Sequence, residues 1–406
     1  MIITGADVHV TGTGRNYVTL VVHTDEGIVG LGDATVNGRE LAVASYLRDH
    51  LVPLLIGRDA FATEDTWQYL YRGAYWRRGP ITMAAIAAVD VALWDIKAKA
   101  AEMPLYQLLG GASRNRLRAY GHAQGRDAEE LLRSVRQRMD EGFTAVRVQV
   151  GVPGLEKSYG VVSDPGASSA YEPAQGFQRP DEELWDTERY LLHIPSVFAA
   201  VREHVGDDVA LLHDVHHRLT PTEATRLARS LEPYHPFWIE DPTPAENAKL
   251  FRQLRQSTTA PIAIGEVFNT IWDYGPLLEE RLIDYARSAV THAGGLTAMK
   301  KLLDYAGVYN VRSGIHGPSD ISPVGFAAAL HLDTAIHNFG IQEYMGYPER
   351  VFELFSVGHF FQDGHLHVSD APGLGVEFDV AAAEESEYRA AYLPVARLVD
   401  GTMHDW

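Results

Sequence analysis

Hydrophobic and polar positions change rhythm twice along the chain. Residues 2–33 alternate in short runs, IITGADVHV, YVTLVVHT and GIVGLGDA, with Gly, Asn and Asp between them. That period of two with turn residues predicts a small antiparallel meander. Residues 38–110 then follow helical spacing. The stretch 84–101, AAIAAVDVALWDIKAKAA, is Ala-rich and apolar all round, which predicts a buried helix. From Leu117 the pattern changes again. Short apolar runs end in a polar residue and give way to a helical stretch, at 117–123, 145–150, 209–214, 237–240, 262–266, 284–288, 310–317 and 341–344. The segment 220–233 between two of them opens on Thr220 and Pro221, a helix-start signal.

Eight such units over about 225 residues have the size of a (β/α)8 barrel. The expected fold class is α/β: an N-terminal α+β capping domain over 1–116, a modified TIM-type (β/α)8 barrel over 117–380, and a tail over 381–406. The tail is aromatic and apolar enough to pack back on the capping domain. A doubly wound dinucleotide fold is the alternative. It wants a glycine-rich first turn opening a helix, and neither GTGRN (12–16) nor GLGVEF (373–378) supplies one. Residues 151–180 break the rhythm with many Gly, Pro and Ser. A loop this long following the second barrel strand would lie at the C-terminal mouth, where it reads as a lid.

Composition narrows the function. With 35 basic and 54 acidic residues the net charge is −19. That argues against nucleic acid, which selects basic surfaces, and against an anionic membrane. There are no cysteines, so disulfides, zinc ribbons, iron–sulfur clusters and thiol nucleophiles are excluded. No run of about 20 apolar residues is present, so no membrane span is expected. The N-terminus has no basic region leading into a long apolar run, so a cytoplasmic location is expected.

The chemistry gathers at the ends of the apolar runs. Asp214, Glu240 and Glu266 end three consecutive runs, each 26 residues after the last. Adjacent barrel strands lie about 4.8 Å apart, so three acids at one height repel unless a cation sits among them. An all-oxygen set favours Mg2+, with Mn2+ or Ca2+ behind it. Around Asp214 the sequence reads LLHDVHHRL (211–219). Were the strand to continue, its period of two would turn Asp214 and His216 together and His213 away. His216 could then ligate the cation or transfer a proton, and His217 falls in the turn with no assigned role. Arg287, His316, Asp320 and Glu343 add polar groups at later run ends. An His-x-His hydrolase site finds only HLH (365–367), too late in the chain for a first barrel strand.

Seven motifs, in order along the whole chain, carry a resemblance: LLHDVHHRLTP, LEPYHPFWIEDPTPAEN, PIAIGEVFNT, RSAVTHAGGLT, HGPSDISPVG, HNFGIQEYMG and GTMHDW. Together they resemble the enolase superfamily, and within it the mannonate dehydratase subgroup. The resemblance implies one Mg2+ per subunit, replaceable by Mn2+, on Asp214, Glu240 and Glu266. Where the superfamily often carries Lys-x-Lys, this chain reads RVQ (147–149). The resemblance therefore implies Arg147 acting with Tyr159 as the base and His216 as the acid. It further implies substrate contacts from Asn37, His122, Glu266, Arg287, His316, Asp320 and Glu343. The implied activity is dehydration of D-mannonate to 2-keto-3-deoxy-D-gluconate, with D-gluconate or another aldonate as the alternative. A sugar-acid-binding sensor with little turnover is the reading from a different class. Homo-oligomers, tetramers or octamers, are implied as well.

Overall fold

The computed structural model describes residues 1–158, 161 and 182–405, and the backbone of 174–175. The chain divides into two compact units. One comprises Met1–Arg118, Glu266–Tyr274 and Arg287–Arg389; the other comprises Ala119–Gly265, Gly275–Ala286 and Ala390–Trp406.

The first unit opens with the meander β1 (Ile3–Gly12), β2 (Asn16–Thr24) and β3 (Val29–Asp33), paired antiparallel in the order β1-β2-β3. β2 is buried along nearly its whole length, because helix Pro80–Ala100 lies across this sheet. That helix buries Ala, Ile, Val and Leu on every side, as its composition predicts. Two glycines in β3 permit the close approach. A Cβ at Gly30 would meet the Ala92 carbonyl oxygen at 2.2 Å, and one at Gly32 would meet that of Ala88 at 2.0 Å. Two buried acids on the helix tie down other segments. Asp90 accepts from the Thr297 N–H and hydroxyl, at 2.9 and 2.5 Å, at the start of helix Gly295–Val308. Burial pushes its carboxyl up to about 7. Asp95 accepts from the N–H groups of Leu31 and Leu374 and from Lys99.

The second unit is built on six parallel strands: β4 (Leu117–Gly125), β5 (Ala145–Val150), β6 (Ala210–Asp214), β7 (Pro236–Glu240), β8 (Ile262–Ile264) and β9 (Tyr285–Ala286). They pair in sequence order, so each neighbour in space is the next strand of this set along the chain. Helices Ala128–Asp140, Thr187–Val205, Pro221–Leu231 and Leu250–Ser257 lie between strands. Their starts are set by local chemistry. Asp127 and Asp186 accept the N–H three residues on, and Thr220 with Glu223 forms a reciprocal capping box. All six residues of β5 are buried, including Arg147 and Gln149.

Each of the eight apolar runs contains a strand, the last two being Arg312–Ser313 and Gln342–Glu343 in the first unit. The tail divides. Asn16 and the Gly12 N–H bond to Arg389 and Ser386 within the first unit. In the second, Ala391–Tyr392 pairs with Ala174–Gln175, and Val395–Leu398 runs parallel to Glu182–Trp185. Most of the expected lid, 151–180, lies outside the described residues. No described helix is long and apolar enough to cross a membrane.

Candidate functional site

In the second unit, strand register sets the polar groups side by side. His122 is level with Arg147, and Asp214 is level with Glu240. Alternation along β5 turns Arg147 and Gln149 to one face. Arg147 Nη1 donates to Asp214 Oδ2 at 2.8 Å and lies 3.8 Å from Glu240 Oε1. Gln149 Nε2 donates to the Asp214 carbonyl at 3.1 Å, and Trp238 Nε1 donates to Glu240 Oε2 at 2.8 Å. Asp214 and Glu240 are both buried.

His213 faces the other way, as alternation predicts. Its Nδ1 meets the Val148 carbonyl at 3.0 Å and its Nε2 meets the Tyr190 hydroxyl at 2.6 Å. Burial pulls its pKa down to about 4, so the ring is neutral. It is a core residue.

The expected continuation of the strand to His216 does not occur. β6 ends at Asp214, and His216 and His217 both take left-handed backbone, with φ of 58° and 64°. The cause is Asp214 itself. Its Oδ1 accepts the His216 N–H at 2.8 Å, an Asx-type turn that competes with further strand pairing. The Glu240 and Asp241 carbonyls accept the N–H groups of Val215 and His217. His216 is therefore placed by a turn and not by the two-residue period.

That turn recruits two residues that the sequence pattern passed over. Asp241 is fully buried with φ 42°, and its Oδ1 accepts the Gly265 N–H at 3.2 Å. Leaving strand geometry lets it face the same way as its neighbour. Oxygens of Asp214, Glu240 and Asp241 all lie within 4.8 Å of one another. His217 Nδ1 donates to the Thr243 carbonyl at 3.1 Å, while Nε2 stands 3.8 Å from Asp241 Oδ2. This buried Nε2 has no hydrogen-bond partner among the described residues. The acidic pair in WIEDP was the available signal, but alternation assigns its members to opposite faces.

Buried carboxylates this close, with Arg147 between two of them, fit a hard divalent cation by their chemistry. The donors are oxygens, and the ring nitrogen left over can serve a cation or a ligand hydroxyl.

The first unit holds a second group. Arg287 is fully buried, with Nη2 3.2 Å from Glu343 Oε2 and 3.7 Å from Glu266 Oε2. Its Nη1 donates to the Gly314 carbonyl at 3.4 Å. Glu343 also accepts the Gly317 N–H at 3.0 Å. His316 Nε2 lies 3.4 Å from Glu266 Oε2. Burial, with Arg287 adding, lowers the His316 pKa to about 4 against the opposing pull of Glu343 and Asp320. Asn37 Nδ2 donates to Asp320 Oδ2 at 3.3 Å. Six of the expected residues lie here: Glu266, Arg287, His316 and Glu343 in one network, and Asp320 paired with Asn37. Tyr159 lies outside the described residues.

Comparison with known proteins decides the family. Residues 130–383 match the enolase C-terminal domain-like family. Residues 8–110 match the mandelate racemase / muconate lactonizing enzyme N-terminal domain. A D-galactonate dehydratase family member from Pseudarthrobacter chlorophenolicus is 57% identical over 409 residues, covering 100% of both chains. The chain belongs to the enolase superfamily. Within the superfamily it belongs to the sugar-acid dehydratases, which are hydro-lyases: a D-mannonate dehydratase from Sphingomonas sp. is 55% identical, covering 99% of this chain and 98% of the relative. A solved enolase from Pantoea ananatis with bound D-gluconate and Mg superposes with a TM-score of 0.92, at 36% identity and covering 100% of each chain. The superfamily fold, an N-terminal capping domain with a C-terminal barrel-like α/β domain, is the fold of this chain.

Proposed function

We propose that the protein is a Mg2+-dependent dehydratase that converts D-mannonate to 2-keto-3-deoxy-D-gluconate. The observation that carries this reading is the buried Arg147–Asp214–Glu240 group on three adjacent strands, with the two acids at their strand ends. The full-length likeness to a D-mannonate dehydratase supports the choice of substrate. D-gluconate is the alternative, because the solved Pantoea relative holds it.

Asp214, Glu240 and Glu266 would hold the ion. When bound, Mg2+ would offset the negative charge that builds on the substrate carboxylate as the α-proton leaves. The remaining work falls to the chain. Arg147 stays cationic and favours the phenolate of Tyr159, whose ordinary pKa is near 10. Tyr159 removes the proton from C2. His216, as imidazolium, gives its proton to the 3-hydroxyl, which leaves as water. The resulting enol tautomerises to the 2-keto acid. Asn37, His122, Arg287, His316, Asp320 and Glu343 would bind the hydroxyl and carboxylate groups. A homo-oligomer in the cytoplasm remains part of the proposal.

The test is a screen of purified protein against an acid-sugar library, with and without EDTA, reading the keto product as its semicarbazone. Mannonate turnover that EDTA abolishes is expected. Thermal stabilisation by acid sugars with no keto product from any of them would sink the dehydratase reading in favour of a binding protein.

A further inference from the structure

Asp33, the last residue of β3, has no part in the proposed chemistry and is almost wholly buried, at 1% exposure. It makes no ion pair with Lys or Arg among the described residues. All of its partners are N–H or O–H donors. Oδ1 accepts from the Thr35 N–H at 2.9 Å and the Thr35 hydroxyl at 2.6 Å. Oδ2 accepts from the Ser322 N–H at 2.9 Å and the Thr291 hydroxyl at 3.4 Å. Each carboxylate oxygen thus has one N–H donor and one hydroxyl, and burying a carboxyl is costly unless its polar atoms are bonded in this way. Burial raises its pKa, and the Thr35 and Ser322 hydrogen bonds oppose that rise.

Its position joins two segments far apart in sequence. Ser322 is the N-cap of helix Pro323–Ala335 and its own side chain does not cap. Asp33 supplies the negative charge that a helix N-terminus favours, from a different strand. Packing there is tight: a Cβ on Gly325 would stand 2.5 Å from Asp33 Oδ2. Just before that N-cap runs the loop that carries His316 and Asp320. Two phenols hold the same loop by its carbonyls, Tyr17 at Ser319 (2.7 Å) and Tyr347 at Ile321 (2.8 Å). On the other side, Thr35 is fixed in turn. Its hydroxyl accepts the Val18 N–H at 3.0 Å and its carbonyl meets His292 Nε2 at 3.0 Å. Two residues on, Asn37 bonds Asp320.

We propose that Asp33 is a positioning residue, one carboxylate that locks the His316–Asp320 loop to the Asn37 turn and so sets the spacing at which these groups grip an acid sugar. The inference rests on the functional reading above for the identity of the ligand. Oδ1 is held by Thr35 alone, while Oδ2 has the Ser322 N–H as its short partner and the Thr291 hydroxyl as a longer one, so a shift of either segment weakens the bonding of a buried oxygen. Substrate contacts placed about 1 Å off can cost orders of magnitude in rate.

The test uses the full chain with Mg2+ present. Asp33→Asn puts an amide N–H against a donor on one side. Hydrogen exchange of peptides spanning 314–322 is expected to speed up about tenfold or more, with β1 and β2 unchanged. Turnover of D-mannonate or D-gluconate is expected to lose about tenfold or more in kcat/KM, with metal content unchanged. If the wild type turns over neither sugar, the choice of D-mannonate or D-gluconate as substrate fails, and the Kd for D-gluconate replaces the kinetic reading. Thr35→Val, which removes one hydroxyl, serves if the Asn variant does not fold; Thr35→Ser restores that hydroxyl and is expected to restore both readings. Unchanged exchange in a folded variant would overturn the proposal. So would faster exchange with kcat/KM and Kd left within about twofold of wild type.

Discussion

Arg147 and Asp214 form a fully buried ion pair, Nη1 to Oδ2 at 2.8 Å, with Glu240 3.8 Å from the same nitrogen. One cation therefore already balances part of the carboxylate charge. Removing it leaves buried acids facing one another, and breaking such a pair costs about 3–5 kcal/mol. Arg147→Met is expected to lower the melting temperature of metal-free protein and to enlarge the stabilisation gained on adding Mg2+. On the proposed mechanism turnover is expected to fall as well, because the Tyr159 phenolate would lose the guanidinium that favours it. Differential scanning fluorimetry with and without EDTA checks the first two. An Mg2+ shift no larger than that of wild type would count against a cation site beside Arg147.

Asp214, Glu240 and Glu266 are the proposed ligands, and Asp241 has an oxygen within 4.8 Å of those of Asp214 and Glu240. Asp214 and Glu240 end paired strands, while Asp241 follows the strand end in left-handed backbone, with φ of 42°. Asp214→Asn, Glu240→Gln and Glu266→Gln are each expected to weaken Mg2+ binding by about 100-fold or more and abolish turnover. Asp241→Asn keeps the turn and supports from outside the ligand set, where losses of about 10–100-fold are usual. Titration calorimetry of Mg2+ into each variant gives the ranking. Should Asp241→Asn prove as damaging as Glu240→Gln, Asp241 belongs among the ligands.

Much of this arrangement was legible in the sequence, and the reasons are physical. Eight apolar runs were visible because parallel strands bury both faces, so a polar residue at a run's end stands out. Alternation correctly sent His213 into the core beneath Tyr190. It failed one residue past Asp214, because a carboxylate that captures its own chain's N–H ends a strand and no periodicity records that. Asp241 was missed because its left-handed backbone, φ 42°, breaks the alternation just past the strand end. Asp33 could not be singled out at all, since its partners Thr291 and Ser322 are more than 250 positions away.

His331 gives a pH test away from the proposed site. It is fully buried, its Nδ1 accepts the Tyr106 N–H at 3.2 Å, and its Nε2 donates to the Leu374 carbonyl at 3.1 Å. Burial lowers its pKa from 6.5 to about 4. Between those values the unfolded chain binds more protons at this ring than the folded chain does. The ring's contribution is therefore complete above pH 6.5 and declines as pH falls toward 4. Chemical denaturation of wild type and His331→Gln should show the wild-type advantage shrinking below pH 6.5, by at most about 1.4 kcal/mol per pH unit. A gap that stays constant from pH 7 to 5 would falsify the assignment of a neutral buried ring.

The division of labour between Tyr159 and His216 is separable by isotope exchange. If Tyr159 takes the C2 proton and His216 only releases the hydroxyl, the two steps can be uncoupled. His216→Asn is expected to lose dehydration by about 10²–10⁴-fold, the usual range for a general acid. It should nevertheless still wash deuterium from D2O into C2 of recovered substrate. Tyr159→Phe should do neither. Proton NMR of the recovered acid sugar reads both outcomes in one sample. The left-handed turn bears on this directly, because His216 is aimed by the Asp214 carboxylate that accepts its N–H. Asp214→Asn retains an oxygen for that bond, so it should spare the turn while losing the metal. Exchange present in Tyr159→Phe and absent in His216→Asn would reverse the roles, making the histidine the base.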